Sequence, residues 1–215
     1  MSDFIVAPAK AGAARGSEPR LMCGLLAAPA FAGATLCRRT VLTLGAGALM
    51  TSLIPAAAAS AAIDPKPIGK PGDFDFLTGE WRIHNRFREK GAWIEFPGEA
   101  TVVAILGGIA SVEELRIPAR GFSGMGLRLL DVEKKIWSDH WVNARSGVVA
   151  VPGQLGVFED GVGTFLSEGE GEEGPELYRG VWDRITPTSC RWFQGVSRDG
   201  GKTWDDGWFM DWTRV

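Results

Sequence analysis

The 215-residue chain carries 23 basic against 26 acidic side chains, a net charge of −3, and 45% of its residues are hydrophobic. That balance offers no broad basic surface for nucleic acid or an anionic membrane. Of its three cysteines only Cys190 lies beyond the first 61 residues, so no internal disulfide can form there.

Residues 1–61 differ in kind from the rest. They are rich in Ala, Gly and Leu and hold five of the basic and two of the acidic residues, which leaves 18 against 24, or −6, for the remainder. Arg38-Arg39 precede an apolar run from Thr43 to Ile54, then Pro55 and the small-residue tract Ala56 to Ala62. Paired arginines, a moderate apolar segment and an Ala-x-Ala exit are expected to form a cleaved twin-arginine export signal, read by the export machinery through Arg38 and Arg39. Cleavage is expected after Ala59-Ser60-Ala61, with Ala57-Ala58-Ala59 next; an uncut anchor helix is the alternative. The run falls short of the roughly 20 apolar residues of a membrane span. Met22 is a candidate start for translation, and neither Cys23 nor Cys37 sits in a lipobox. The expected location is the periplasm or the medium, with no stable membrane span after processing.

Residues 62–73, with three prolines, read as a linker, and residues 74–215 as one domain large enough for a core of its own. In Phe74-Asp75-Phe76-Leu77-Thr78-Gly79-Glu80-Trp81 a short apolar turn runs through glycine into a strand. There Trp81, Ile83, Asn85 and Phe87 face one way and Arg82, His84, Arg86 and Arg88 the other. Further strands are expected over 93–96, 101–106, 109–117, 122–130, 136–144, 154–159, 162–167, 176–185, 190–197 and 203–214. Pro97-Gly98 is expected to end the first of these, and Asp160-Gly161 to make a tight hairpin. No helical period follows Phe76. Consecutive hairpins without a long crossover predict an all-β, antiparallel up-and-down barrel of about eight to ten strands, closed so that no edge is exposed.

Phe76-Leu77-Thr78-Gly79-Glu80-Trp81 resembles the Gly-x-Trp opening of calycin-type barrels such as lipocalins and nitrobindins. Residues 74–214 as a whole resemble a bacterial family of secreted, uncharacterised calycin-like proteins. The resemblance rests on Phe-Asp-Phe-Leu-x-Gly at 74–79, Arg120-Gly121-Phe122-Ser123-Gly124, the Trp-rich 137–141, Phe158-Glu159-Asp160-Gly161 and Asp199-Gly200-Gly201-Lys202-Thr203-Trp204. It implies a short helical turn plugging one end of a barrel, with Trp81 on the floor. It implies no activity.

Ser197-Arg198-Asp199-Gly200-Gly201-Lys202-Thr203-Trp204 fits the Asp-box, which a propeller would repeat in every blade and which occurs here once. Its Asp and Ser side chains suit a structural hairpin. Glu168 to Gly174 lacks calcium-loop spacing and reads as a solvated hairpin tip. The two histidines, His84 and His140, have no ligand spacing for a metal, and His84 shares the arginine face. No metal or cofactor is expected, with haem on a histidine, as in nitrobindin-like barrels, as the alternative.

The chemical candidate is Asp139. If Leu130 pairs with Ile136, then Leu129, Leu127 and Met125 lie opposite Trp137, Asp139 and Trp141, and these six form the inward, apolar face. Arg128, Ser138 and His140 then face out. Asp139 would project into the barrel between two tryptophans, with Asn143 and Asn85 facing the same way. The expected ligand site is therefore Asn85, Trp137, Asp139, Trp141 and Asn143. The competing readings are an ion pair with an interior arginine, or a one-residue slip that turns Asp139 outward. The domain is expected to bind a small, largely apolar molecule. The alternatives are an isomerase, cyclase or lyase using Asp139 as acid or base, and a structural or interaction domain whose barrel is filled with side chains. No nucleophile–base constellation is present, which leans against an enzyme. The oligomeric state is left open.

Overall fold

The computed structural model describes residues 63–215. The expected export signal, with Arg38 and Arg39, lies outside the described residues.

A 3-10 turn, Asp75–Leu77, leads into ten antiparallel strands. They are β1 (Gly79–Glu89), β2 (Ala92–Ile105), β3 (Ala110–Ile117), β4 (Phe122–Asp131), β5 (Ile136–Asn143), β6 (Gln154–Glu159), β7 (Val162–Glu170), β8 (Pro175–Asp183), β9 (Ser189–Ser197) and β10 (Asp205–Arg214). Each pairs with its neighbours in sequence and β1 pairs with β10, so the sheet is a closed up-and-down barrel. Closure satisfies the backbone groups that an edge strand would expose.

One expected break is absent: β2 runs straight through Pro97-Gly98. Pro97 lies beyond the β2–β3 ladder, which covers Glu99 to Ile105, so β3 requires no donor from it. Gly98 faces inward, where a Cβ would meet Asn85 Nδ2 at 2.9 Å. The segment expected to be a linker is tied down: Gly69 N–H donates to the Lys135 carbonyl at 2.8 Å, Gly72 N–H to the Gly108 carbonyl at 2.9 Å, and Lys66 pairs with Glu159.

The barrel has a packed end and a hollow one. At the packed end the 3-10 turn inserts Phe74 and Leu77, both buried, against Trp81, Trp137, Phe165, Trp182 and Trp212. The Phe74 ring meets Trp137 edge-on at 4.9 Å and Phe158 at 4.9 Å. Each large side chain removed from water here contributes about 1.5–3 kcal/mol. Arg214 latches this floor to the end of the chain. Its guanidinium lies 4.3 Å from the Trp81 ring centroid and donates to the carbonyls of Thr78 (2.6 Å) and Phe76 (2.7 Å).

The register of β4 against β5 corrects the sequence reading. Leu130 pairs with Trp137 and Asp131 with Ile136, one residue away from the expected pairing. The loop is therefore 132–135, with Lys135 at φ 54°. β5 keeps the expected orientation while β4 is turned over. Phe122, Gly124, Gly126, Arg128 and Leu130 face in, and Met125, Leu127 and Leu129 face out. Small inward residues are needed because large ones occupy the space above them: a Cβ at Gly124 would lie 2.2 Å from Trp141 Cζ2, and one at Gly126 would lie 3.1 Å from Arg128 Nη2.

Candidate functional site

Arg128 stands opposite Asp139 and lies on the boundary between the two ends. Below it, its guanidinium carbon is 5.2 Å from the ring centroids of both Phe74 and Trp182. Beside it, Nη2 donates to Glu113 Oε2 on β3, and Nε lies 3.5 Å from Asp139 Oδ2. Arg128 and Glu113 are buried, while 18% of the Asp139 side chain stays accessible. The three form a cluster of two carboxylates and one guanidinium.

Above the cluster is a cavity of about 170 Å³. Its walls are the rings of Trp141, Trp192 and Trp208 with Leu115 and Met210, and its polar positions include Gln154, Ser167, Tyr178 and Gln194. The wall is irregular on one side. β5 and β6 pair only over Trp137–Gly156, Ser138–Leu155 and Asp139–Gln154. Beyond that, the connecting residues 144–153 fold back, Ala150 N–H donating to the Trp141 carbonyl at 2.8 Å. Ala150, Val151, Pro152 and Gly153 thereby complete the lining.

Burial pushes the Asp139 carboxyl above the ordinary carboxylate range; Arg128 opposes that shift and Glu113 adds to it. Burial also works against the charge on Arg128, but Glu113 and Asp139 outweigh it and its pKa is raised. One guanidinium therefore neutralises one carboxylate, and the second, the one accessible from the cavity, holds its proton more firmly than usual. Tyr178 is committed elsewhere. Its hydroxyl donates to Glu176 Oε2 at 2.5 Å, and burial together with that bond pushes its pKa up to about 12.

Of the five residues expected to form the site, Asp139 and Trp141 line the cavity. Trp137 is fully buried in the floor, its Nε1 donating to Asp73 Oδ2 at 3.1 Å. Asn85 is buried behind the wall and accepts from Trp208 Nε1 at 3.0 Å. Asn143 turns to its own loop, its Oδ1 accepting the Arg145 N–H at 2.9 Å. These three do not line the cavity, because one is used by the floor, one by the wall and one by a turn.

Sequence reasoning missed Glu113, Arg128, Gln154, Ser167 and Gln194. The period-two pattern of β4 held a signal for Arg128, since it shares a face with Phe122 and Leu130. The aliphatic run on the other face outweighed that signal. The remaining polar positions carry no local mark.

His84 lies on the outer wall, 3.1 Å from Glu95 Oε2. His140 lines the cavity and donates from Nδ1 to the Ala150 carbonyl at 3.0 Å. A cavity of about 150 Å³ accommodates benzene, so a tetrapyrrole does not fit the space beside His140. The Asp-box is a local hairpin: Asp199 Oδ1 accepts from the N–H groups of Lys202 and Thr203, and Trp204 Nε1 donates to the Gly201 carbonyl.

Asp139→Asn tests the charge state. Asn is close to the protonated carboxyl in shape and leaves Arg128 paired one-to-one with Glu113. The variant should fold, with stability within about 1 kcal/mol of the parent near neutral pH. The Asp139 pKa is raised on folding. Its contribution is thus full below the unfolded value of about 3.9 and is lost as pH rises through the folded value. Asn does not titrate, so the variant should gain on the parent as pH climbs through that window in thermal melts. A large loss at every pH would mean that Asp139 is an ionised structural partner of Arg128.

No family model matches the sequence, and no curated protein matches it. Among solved structures, the chain is similar to the crystal structure of Rv2717c from M. tuberculosis, with a TM-score of 0.42 at 13% identity over 66% of this chain and 94% of that one. It is also similar to a DUF3598-family protein of unknown function from Nostoc punctiforme PCC 73102, with a TM-score of 0.40 at 12% identity. That match covers 72% of this chain and 53% of the other, so this chain spans about half the length of that protein.

Proposed function

We propose that this chain is an exported barrel that binds a small, largely apolar molecule in the cavity above Arg128, belonging with secreted calycin-like proteins. The observation that carries the reading is the tryptophan-walled space of about 170 Å³ with Asp139 at its base. A barrel filled with side chains would leave no such space. Apolar walls supply affinity and a few convergent polar groups fix orientation, as in ligand pockets generally. Mass spectrometry of small molecules released from the purified, exported protein tests it. A stoichiometric apolar compound supports the reading. A protein that carries none and binds none of a library of one- and two-ring compounds would end it.

A second reading is supported by one feature. Asp139 is a carboxyl of raised pKa, partly accessible from the cavity, and such a group can give or take a proton from a bound substrate. Turnover abolished in Asp139→Asn, with binding retained, would favour an isomerase, cyclase or lyase over a carrier.

Export rests on Arg38 and Arg39. Lysine keeps the charge but loses the planar fork of the guanidinium. The Arg38→Lys, Arg39→Lys double variant should accumulate in the cytoplasm as uncut precursor, read by fractionation and immunoblot. Normal appearance in the periplasm would remove the twin-arginine assignment.

A further inference from the structure

The cavity walls are unevenly equipped for hydrogen bonding. Among the described residues, Arg128 Nη1 and the indole Nε1 atoms of Trp141, Trp182 and Trp212 are buried without a hydrogen-bond partner, and all four residues line the cavity. Every one of these groups is an N–H. Guanidinium and indole nitrogens donate and do not accept. A buried donor left without an acceptor costs about 1–3 kcal/mol. A hydrocarbon filling the cavity would leave that cost in place, whereas a ligand oxygen could take up one or more of these donors after a small rotation.

Shape and charge narrow the class. Trp192 stands edge-on to Trp208 (5.7 Å, 88°) and tilted to Trp182 (6.5 Å, 55°), while Trp141 stacks on Phe122 (6.0 Å, 9°). These walls present ring faces and edges, which suit a flat guest. The volume is close to that of a cavity that holds benzene, so one ring with a short substituent fills it. The cluster holds two carboxyl groups to one guanidinium, so its one cation is already paired and an anionic guest would find no free positive charge to offset its own.

We propose that the cavity selects an uncharged, planar ring compound bearing an acceptor oxygen, of the aryl-carbonyl type, with the oxygen directed at the unpartnered donors of Arg128, Trp141 and Trp182. The inference rests on the binding reading above and sharpens it.

Isothermal titration of the purified protein with four probes of nearly equal shape tests it: ethylbenzene, acetophenone, benzoate and 1-phenylethylammonium. Acetophenone should bind about tenfold more tightly than ethylbenzene, the effect of one well-made hydrogen bond. Both ions should bind more weakly than acetophenone. Trp141→Phe keeps a ring and removes an N–H, and should lower the acetophenone-to-ethylbenzene ratio severalfold. Trp93→Phe on the outer wall should leave the ratio unchanged. If Trp141→Phe does not fold, Trp182→Phe provides the same reading.

Ethylbenzene binding as tightly as acetophenone would overturn the acceptor requirement while leaving the cavity reading intact. Tightest binding of the ammonium probe would overturn it too, showing that the surplus carboxylate governs selection. A ratio unchanged in Trp141→Phe and Trp182→Phe would remove those donors from the assignment. If the folded protein binds none of the four, this inference fails, while the cavity reading stands or falls by the co-purification and library test above.

Discussion

Replacing Arg128 with methionine should destabilise the barrel by about 3–5 kcal/mol near neutral pH, the range for removing one partner of a buried ion pair. The guanidinium serves Glu113 and Asp139 together, and both lie on inward faces of neighbouring strands. Methionine fills much of the same volume, so the loss reports stranded charge and not a hole. The sign with pH follows from that cause. A carboxylate without its cation stays buried only by taking up a proton, so its pKa in the folded variant rises above the unfolded value of about 4. The deficit should be smaller at pH 4, where the unfolded carboxyls are already about half protonated, and should grow as pH rises. Chemical denaturation at pH 4 and pH 8, on parent and variant, reads it directly. A deficit equal at both pH values would mean that Arg128 acts through packing on Phe74 and Trp182.

This cluster also marks where the sequence was legible and where it was not. The alternation from Trp81 to Phe87 placed Trp81, Ile83 and Asn85 inside, and they are buried. Turn residues at 90–91, 160–161 and 199–201 delimited hairpins because each needs a conformation that glycine, aspartate or a cap supplies. Barrel closure followed from those signals, and the strand number fell within the expected range once 93–96 and 101–106 proved to be one strand, β2. β4 resisted because its two faces invert the usual rule. The outer face carries Met125, Leu127 and Leu129, while the inner face carries Gly124, Gly126 and Arg128. Glycine faces the interior because the indole of Trp141 and the guanidinium of Arg128 need the space. Outside, Val103 and Ile105 on β2 and Leu129 on β4 are exposed, and hydrophobicity along one strand cannot tell that wall from a core. A single residue in the 132–135 loop then decides which face of β4 turns inward. Asp139 kept its place because Trp137 and Trp141 set the orientation of β5 independently of its partner. The cavity polar groups were out of reach for another reason. Gln154, Ser167 and Gln194 come from three strands, and only the closed ladder brings them together.

Trp81→Ala should cost about 3–5 kcal/mol, the range for deleting a buried tryptophan, and it tests the packed end as the arginine variant tests the boundary. Three interactions converge on this one indole. Its ring lies edge-on to Trp212 at 5.9 Å, its Nε1 donates to the Leu77 carbonyl at 2.6 Å, and the Arg214 guanidinium covers its outer face. Leu77 belongs to the 3-10 turn, Trp81 to β1 and Arg214 to β10, where Trp81 and Arg214 are direct partners. The residue therefore joins the plug, the first strand and the last at the seam that closes the barrel. Trp81→Phe separates the contributions. It keeps part of the ring contact and loses the Leu77 hydrogen bond, so it should cost less than alanine by about 1–3 kcal/mol. Arg214→Ala should weaken the parent but have little further effect in the alanine variant, because its stacking partner is already gone. Denaturant melts of the single variants and of the double variant complete the cycle. A melting midpoint unchanged in Trp81→Ala would mean that the seam is held by the backbone ladder alone, and the floor would then no longer be the element that fixes the barrel's closed end.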